Sequence, residues 1–251
     1  MVDIHSHILH GMDDGAKTLE ISVAMLEMAA ADGITDIVAS PHANNDYTFD
    51  PDLIEARIRE LAAALTVPIR IHRGCDFHLT FDNIEDALRR PDRYTINHRR
   101  YLLVEFSDLL IPKTSGEVFE RMLAAGIVPV VTHPERNALL RRKWETLENW
   151  ADAGCLMQVT AGALLGRWGR SAQEFAEKLM DANLAHVIAS DAHDAEHRPP
   201  VLTPAYERVA KKWGQSRAEA LFGANPAAIL AGQPLPQPAP EPAQRKWYRF
   251  W

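Results

Sequence analysis

Val2-Asp3-Ile4-His5-Ser6-His7 opens with a short β-branched run, Val2–Ile4, and sets two histidines directly behind it. Side chains alternate along an extended segment, so His5 and His7 project to one side and can share an ion. An isolated His-x-His is more often a polar strand end than a metal site. This one gains weight because the arrangement recurs. Six further runs have the same character: Thr35–Ala39, Ile69–Arg73, Tyr101–Glu105, Ile127–Val131, Leu156–Val159 and Ala185–Ala189. His42 follows the second run, Asp76 the third and His133 the fifth; Glu105 ends the fourth, and Asp191 and His193 follow the seventh. Scattered histidines would not keep to that position.

Helical patterns separate most of these runs. In Pro51–Leu65, Asp50 can cap, Pro51 suits a first turn, and Ile54, Ile58, Leu61 and Leu65 share one face. Others are expected near Leu19–Ala31, Gly116–Ala125, Trp144–Ala153, Ala172–Ala182, Ala205–Trp213 and Arg217–Phe222, with Gly33, Gly126 and Gly154 as stops. The alternation predicts an α/β fold on a parallel sheet of seven strands. In parallel α/β barrels, active sites are built at the C-terminal strand ends, where six of the seven runs deliver a metal-ligand residue type.

Composition narrows the function classes. The 251 residues are 47% hydrophobic and 24% charged, which supports a sizeable core and argues against disorder. A net charge of -7 is a poor basis for binding nucleic acid through the bulk surface. No apolar run approaches the roughly 20 residues of a membrane span. Two cysteines, Cys75 and Cys155, cannot form a disulfide framework and suit a reducing compartment, so a cytoplasmic location is expected. Phe81 and Ala161 stand six positions after them, so the Cys-x5-Arg loop of thiol phosphatases is absent. His5 and His7 come too early for a cleavable secretory segment to precede them.

Singly, most candidates have a bland reading. Asp191 can cap a turn, His42 and His133 can be structural, and Asp76 can be a turn residue. Glu105 resists this, because a carboxylate inside Tyr101-Leu-Leu-Val-Glu-Phe106 needs a cation or hydrogen bonds. Together the set is far more specific. Adjacent carboxylates repel without a cation between them, and mixed imidazole and carboxylate donors suit zinc, iron or manganese rather than calcium. Arg136, in His133-Pro-Glu-Arg136, and Arg198 follow two of these ligand motifs, and guanidinium forks match phosphate oxygens in pairs. Three divalent ions would outweigh Asp14, Asp76, Glu105 and Asp191, so an acidic protein can carry a positive pocket.

These motifs resemble the PHP (polymerase and histidinol phosphatase) superfamily, and within it the bacterial capsule and exopolysaccharide tyrosine phosphatases. The likeness rests on Asp3-Ile-His5-Ser-His7, Asp13-Asp14-Gly15, Ser40-Pro-His42, Gly74-Cys-Asp76, Leu103-Val-Glu105-Phe, Thr132-His133-Pro-Glu-Arg136 and Ser190-Asp191-Ala-His193 with Arg198-Pro-Pro. It covers the chain to about Leu230. It implies a distorted seven-stranded (β/α)7 TIM-like barrel holding three divalent ions, manganese first, with iron or zinc as alternatives. By family pattern His5, His7, Asp76 and Asp191 hold the first ion, Asp76, Glu105 and His133 the second, and Asp14, His42 and His193 the third. Arg136 and Arg198 bind the phosphate. The family usually carries Glu where this chain has Asp76, one methylene shorter. The likeness also implies a phosphotyrosine protein as substrate, a membrane-associated bacterial tyrosine kinase of polysaccharide export.

Two other readings compete: a phosphoesterase of a small metabolite such as histidinol phosphate, and a non-catalytic metal-binding scaffold. A barrel over 1–231 and a tail over 232–251 are expected. Pro234, Pro236, Pro238, Pro240 and Pro242 favour an extended arm. Its end, Arg245-Lys246-Trp247-Tyr248-Arg249-Phe250-Trp251, has the chemistry to contact an anionic inner-membrane surface or a partner.

Overall fold

Each β-branched run forms a strand, but Pro41 and Gly74 split two of them. The computed structural model describes residues 1–79 and 81–236, so the basic-aromatic end of the tail lies outside the described residues. Among the described residues there are nine strands: β1 (Val2–Ser6), β2 (Asp36–Ala39), β3 (His42–Ala43), β4 (Arg70–Arg73), β5 (Asp76–His78), β6 (Tyr101–Glu105), β7 (Val128–Thr132), β8 (Leu156–Thr160) and β9 (Val187–Ala189). They make two parallel sheets, β1-β2-β4 and β3-β5-β6-β7-β8-β9. The seven expected runs thus appear as nine strands in two parallel sheets among the described residues.

The cause of the split is local. Pro41 has no N–H to give the ladder. Gly74 runs so close to β2 that a Cβ there would sit 2.5 Å from Val38 Cγ1. Pairing resumes in unchanged register: Ala39↔Arg73 before the break and His42↔Asp76 after it are both 34 positions apart. Backbone bonds span the gap, with Gly74 N–H donating to Ala39 O at 2.8 Å and Asp76 N–H to Pro41 O at 3.1 Å.

The first strand also meets the segment after the last. Asp191 N–H donates to His5 O at 2.9 Å, His7 N–H to Ala192 O at 2.7 Å, and Ser6 bridges Ala192. Buried Asp3 reinforces the junction, its carboxylate accepting from Ser190 Oγ at 2.5 Å and Ser190 N–H at 3.1 Å. Burial pushes the Asp3 carboxyl up to about 6 even against these donors.

Among the described residues ten α-helices connect or follow the strands: α1 (Leu19–Ala31), α2 (Pro51–Ala64), α3 (Phe81–Arg89), α4 (Ser115–Ala124), α5 (Trp144–Asp152), α6 (Ala161–Leu164), α7 (Arg170–Asp181), α8 (Thr203–Trp213), α9 (Gln215–Glu219) and α10 (Asn225–Ala231). Asp50 caps α2, its carboxylate accepting from Asp52 and Leu53 N–H. The expected helix over Arg217–Phe222 is instead a short α9 followed by a π turn, Ala220–Ala224, leading into α10.

Strand alternation sorts the core into two layers. Leu102 and Val104 of β6 pack in the layer shared with the helices, whereas Tyr101 and Leu103 join Ile4, Val38, Val130 and Val187 in a smaller cluster. Glu105, two positions beyond Leu103, therefore falls on the side of that smaller cluster, at the C-terminal end of its strand. β1 carries one residue more than β2 between Asp3↔Ile37 and Ser6↔Ala39. That bulge re-aims the side chains beyond Asp3.

Candidate metal centre

Strand ends and the turns behind them bring nine sequence candidates together. His5 lies within β1 and His7 just after it, Asp14 in the following loop, and His42 and Asp76 in the short strands β3 and β5. Glu105 ends β6, His133 follows β7, and Asp191 and His193 follow β9. His5 Nε2 is 3.4 Å from Asp76 Oδ2 and 3.5 Å from Asp191 Oδ1. His42 Nδ1 is 3.2 Å from Asp76 Oδ2, and its Nε2 is 3.4 Å from Asp14 Oδ1. His133 Nε2 is 3.5 Å from Glu105 Oε1, and His193 Nε2 is 3.5 Å from Asp14 Oδ1.

Donor atoms of Asp76, Glu105 and His133 lie within 4.8 Å of one another, as do those of Asp14, His42 and His193 together with His7. Asp191 groups with His5 and His133, while His5 and His7 group with Asp76. The four-member set carried over from the family is thus divided between two groups.

Two of these positions use uncommon backbone. His133 has φ 33° and Asp191 φ 53°, the left-handed region where side chains other than glycine are strained. Gly15 is pressed even harder: a Cβ there would lie 2.1 Å from His7 O. Asp13 locks the same loop. Its Oδ2 meets His7 Nδ1 at 2.7 Å and accepts from His42 N–H at 3.1 Å, while Oδ1 accepts from Gly15 N–H at 2.9 Å.

The donors fit divalent ions on two observations. Both oxygens of Asp76 are buried with no hydrogen-bond partner. His5 Nδ1 meets Gln158 Oε1 at 2.8 Å and His7 Nδ1 meets Asp13, so both rings present Nε2 to the centre, only 3.3 Å apart. Two ring nitrogens facing each other at that distance need a cation or a proton between them. The titration directions agree. Burial would lower His5, but Asp76 and Asp191 outweigh it and raise the ring to about 9. Burial lowers His7, and His193 beside it adds to this, to about 4. Burial, then the neighbouring Asp76, raises the Glu105 carboxyl.

Both candidate arginines converge on Asp191. Arg198 Nη2 donates to Asp191 Oδ2 at 2.6 Å, and Arg136 Nη1 meets the same oxygen. The Trp168 indole packs against them, with its ring centroid 3.8 Å from the Arg136 Cζ and 5.2 Å from that of Arg198. Gly162 makes room for it: a Cβ there would come within 3.2 Å of Trp168 Nε1. Trp168 also separates two clefts of about 230 and 250 Å³, the first reaching Arg198 and the second Arg136, His133 and Glu105. Trp168→Ala is expected to leave metal content unchanged and to lower kcat/KM for aryl phosphates by roughly fivefold, the loss of about 1 kcal/mol of cation–π packing. Unchanged kinetics would separate Trp168 from the arginine pair.

Sequence reasoning passed over four contributors: Asp13, Gln158, Trp168 and His78. Asp13 stands in a quoted motif without a role. His78 repeats the Asp-x-His spacing of Asp191-Ala-His193, a signal that could have exposed it.

The chain is similar to known proteins. The model of the family described as capsular polysaccharide synthesis, CpsB/CapC, matches residues 1–231. Tyrosine-protein phosphatase YwqE of Bacillus subtilis is 32% identical over an alignment of 259 residues spanning 100% of both chains. Tyrosine-protein phosphatase CpsB of Streptococcus pneumoniae is 31% identical over 242 residues, covering 93% of this chain and 99% of that one. A solved structure, from work describing YwqE and CpsB as metal-dependent tyrosine phosphatases, superposes with a TM-score of 0.88 at 31% identity, over 98% of this chain and 100% of that chain. The lactonase Lmo2620 of Listeria monocytogenes, at 14% identity and a TM-score of 0.57, shares the fold alone. With a family model spanning the strands and every residue of the centre, the chain belongs to the CpsB/CapC family of capsular polysaccharide synthesis.

Proposed function

We propose that this chain is a metal-dependent phosphatase of phosphotyrosine in proteins. One observation carries the reading: the buried, unpartnered Asp76 carboxylate stands among inward-facing histidines, beside an arginine pair held on Asp191. The relatives named tyrosine-protein phosphatases support the substrate class. We take the strands as one distorted seven-stranded barrel over residues 1–231, β3 continuing β2 and β5 continuing β4, with 232–251 as a tail.

In this reading His5, His7, Asp76 and Asp191 would hold one ion, Asp76, Glu105 and His133 a second, and Asp14, His42 and His193 a third, with manganese expected to serve best. When bound, such ions supply Lewis-acid charge and lower the pKa of water into the neutral range. The chain's own residues do the rest. Gln158 and Asp13 fix the ring orientations of His5 and His7. Arg136 and Arg198 present guanidinium forks that bind phosphoryl oxygens and stabilise the charge developing on them. Phenol has a pKa near 10, so a tyrosine leaves as phenolate without a proton donor from the chain.

The partner in this proposal is a membrane-associated bacterial tyrosine kinase, met by a cytoplasmic enzyme whose tail can reach the inner membrane. No helix among the described residues is long and apolar enough to cross a membrane. The test is metal analysis coupled to assay. The purified protein is expected to carry more than one transition-metal equivalent, to lose aryl phosphate turnover in chelator and regain it best with manganese, and to prefer phosphotyrosine peptide over histidinol phosphate. Full activity in chelator, with no bound transition metal, would overturn the proposal.

A further inference from the structure

Glu105 divides its two oxygens between different partners. Oε1 faces His133, whereas Oε2 lies 3.4 Å from His42 Nδ1 and in contact with His78 Nε2. Strand pairing explains the second contact, because His78 stands directly opposite Glu105 across β5 and β6. His42 Nδ1, His78 Nε2 and Glu105 Oε2 are each buried; His78 and Glu105 have each other as neighbours, and His42 Nδ1 has Asp76 Oδ2 at 3.2 Å as well. All three converge within 4.8 Å of one another. Two imidazole nitrogens gathered on one buried carboxylate oxygen are donors that a single cation can share.

We propose that His42 Nδ1, His78 Nε2 and Glu105 Oε2 form a further divalent-cation position at the rim of the centre, suited to a zinc-class ion. The inference rests on the metal-centre reading above and adds His78, which none of its three ligand sets includes. Two imidazole nitrogens and a carboxylate oxygen are a donor set for zinc, and three protein donors leave one coordination position open.

His42 decides what this position does. Its Nε2 faces the group of Asp14, His7 and His193, while Nδ1 faces Asp76, Glu105 and His78. A neutral imidazole has a single lone pair, so a ring bound through Nδ1 carries its proton on Nε2. The two positions therefore compete for one ring. Zinc in excess draws His42 toward His78 and away from the Asp14 side, and so inhibits.

The test uses the full-length protein dialysed against zinc and counted by elemental analysis. Wild type is expected to take up zinc at a lower concentration than His78→Gln, whose amide can still donate to Glu105. Zinc inhibition of the manganese-loaded enzyme is expected to require about tenfold more zinc in the variant. Should His78→Gln fail to fold by circular dichroism, His78→Ala supplies the same comparison. Equal zinc content and equal inhibition in wild type and variant would overturn the site, and would show His78 only orienting Glu105. A wild type that binds no metal at all would overturn the underlying metal-centre reading instead.

Discussion

Asp191→Ala is expected to lose bound metal and aryl phosphate turnover together, leaving activity at background. The residue is buried, and its two oxygens do separate work. Oδ1 lies 3.5 Å from both His5 Nε2 and His7 Nε2. Oδ2 receives Arg136 and Arg198. Burial would raise this carboxyl, but His5 and then Arg136 hold it well below the usual carboxylate range. Removing it leaves two guanidiniums without their shared anchor and deprives the histidines of a facing anion. Arg136→Ala and Arg198→Ala should behave differently, keeping the metal and losing about 2–3 kcal/mol of transition-state binding, roughly 30- to 160-fold in kcat/KM. Metal content and kcat/KM measured on the same preparations decide between the roles. Arginine variants with wild-type kinetics would remove the phosphate clamp from the mechanism, and a fully metallated Asp191→Ala would remove the ligand role.

Asp76→Asn is the second large effect. The substitution keeps size and shape but removes a negative charge that faces His5, His7 and His42 through one oxygen, Oδ2, at 3.4, 4.0 and 3.2 Å. Burial opposes ionisation here, yet the facing His5 and His42 rings keep the carboxyl well below its ordinary range. An amide cannot balance two cations, so the variant should lose most of its metal and most of its turnover. Asp76→Glu should remain active or change the order of preference among manganese, iron and zinc, because the longer arm alters reach. An Asn variant with full metal content and full turnover would show that Asp76 does not lie between two ions.

The strand ends are legible in the sequence because β-branched runs and metal-ligand residue types recur in step: His42, Asp76, Glu105, His133 and Asp191 each stand at or just behind such a run. The breaks are not. Pro41 and Gly74 are visible as interrupters, but nothing local says that pairing resumes beyond them in the same register, which makes β3 and β5 separate strands. The bulge in β1 is equally hidden, since it is a mismatch of one strand against another. Gln158 reads as one more polar residue in a strand until tertiary packing puts it on His5. Trp168 sits between glycines in a connecting segment, and its contact with two arginines belongs wholly to the folded chain. The nine ligand candidates carry distinctive chemistry, whereas their supports are ordinary residues whose value is positional.

Gly15 turns that distinction into a rule about which changes the protein can survive. It carries no ligand, charge or donor beyond its backbone, yet a single methyl group there would overlap His7 O at 2.1 Å and His7 Cβ at 2.5 Å. Relief would have to come from shifting His7 or from lifting the loop that carries Asp13 and Asp14. A saturation library scored for phosphatase activity should therefore tolerate nothing at position 15, not even alanine, while the neighbouring exposed Lys17 accepts many residues. Chemical silence at this position would coexist with the strictest mutational intolerance in the loop, because what the fold requires there is an absence of atoms.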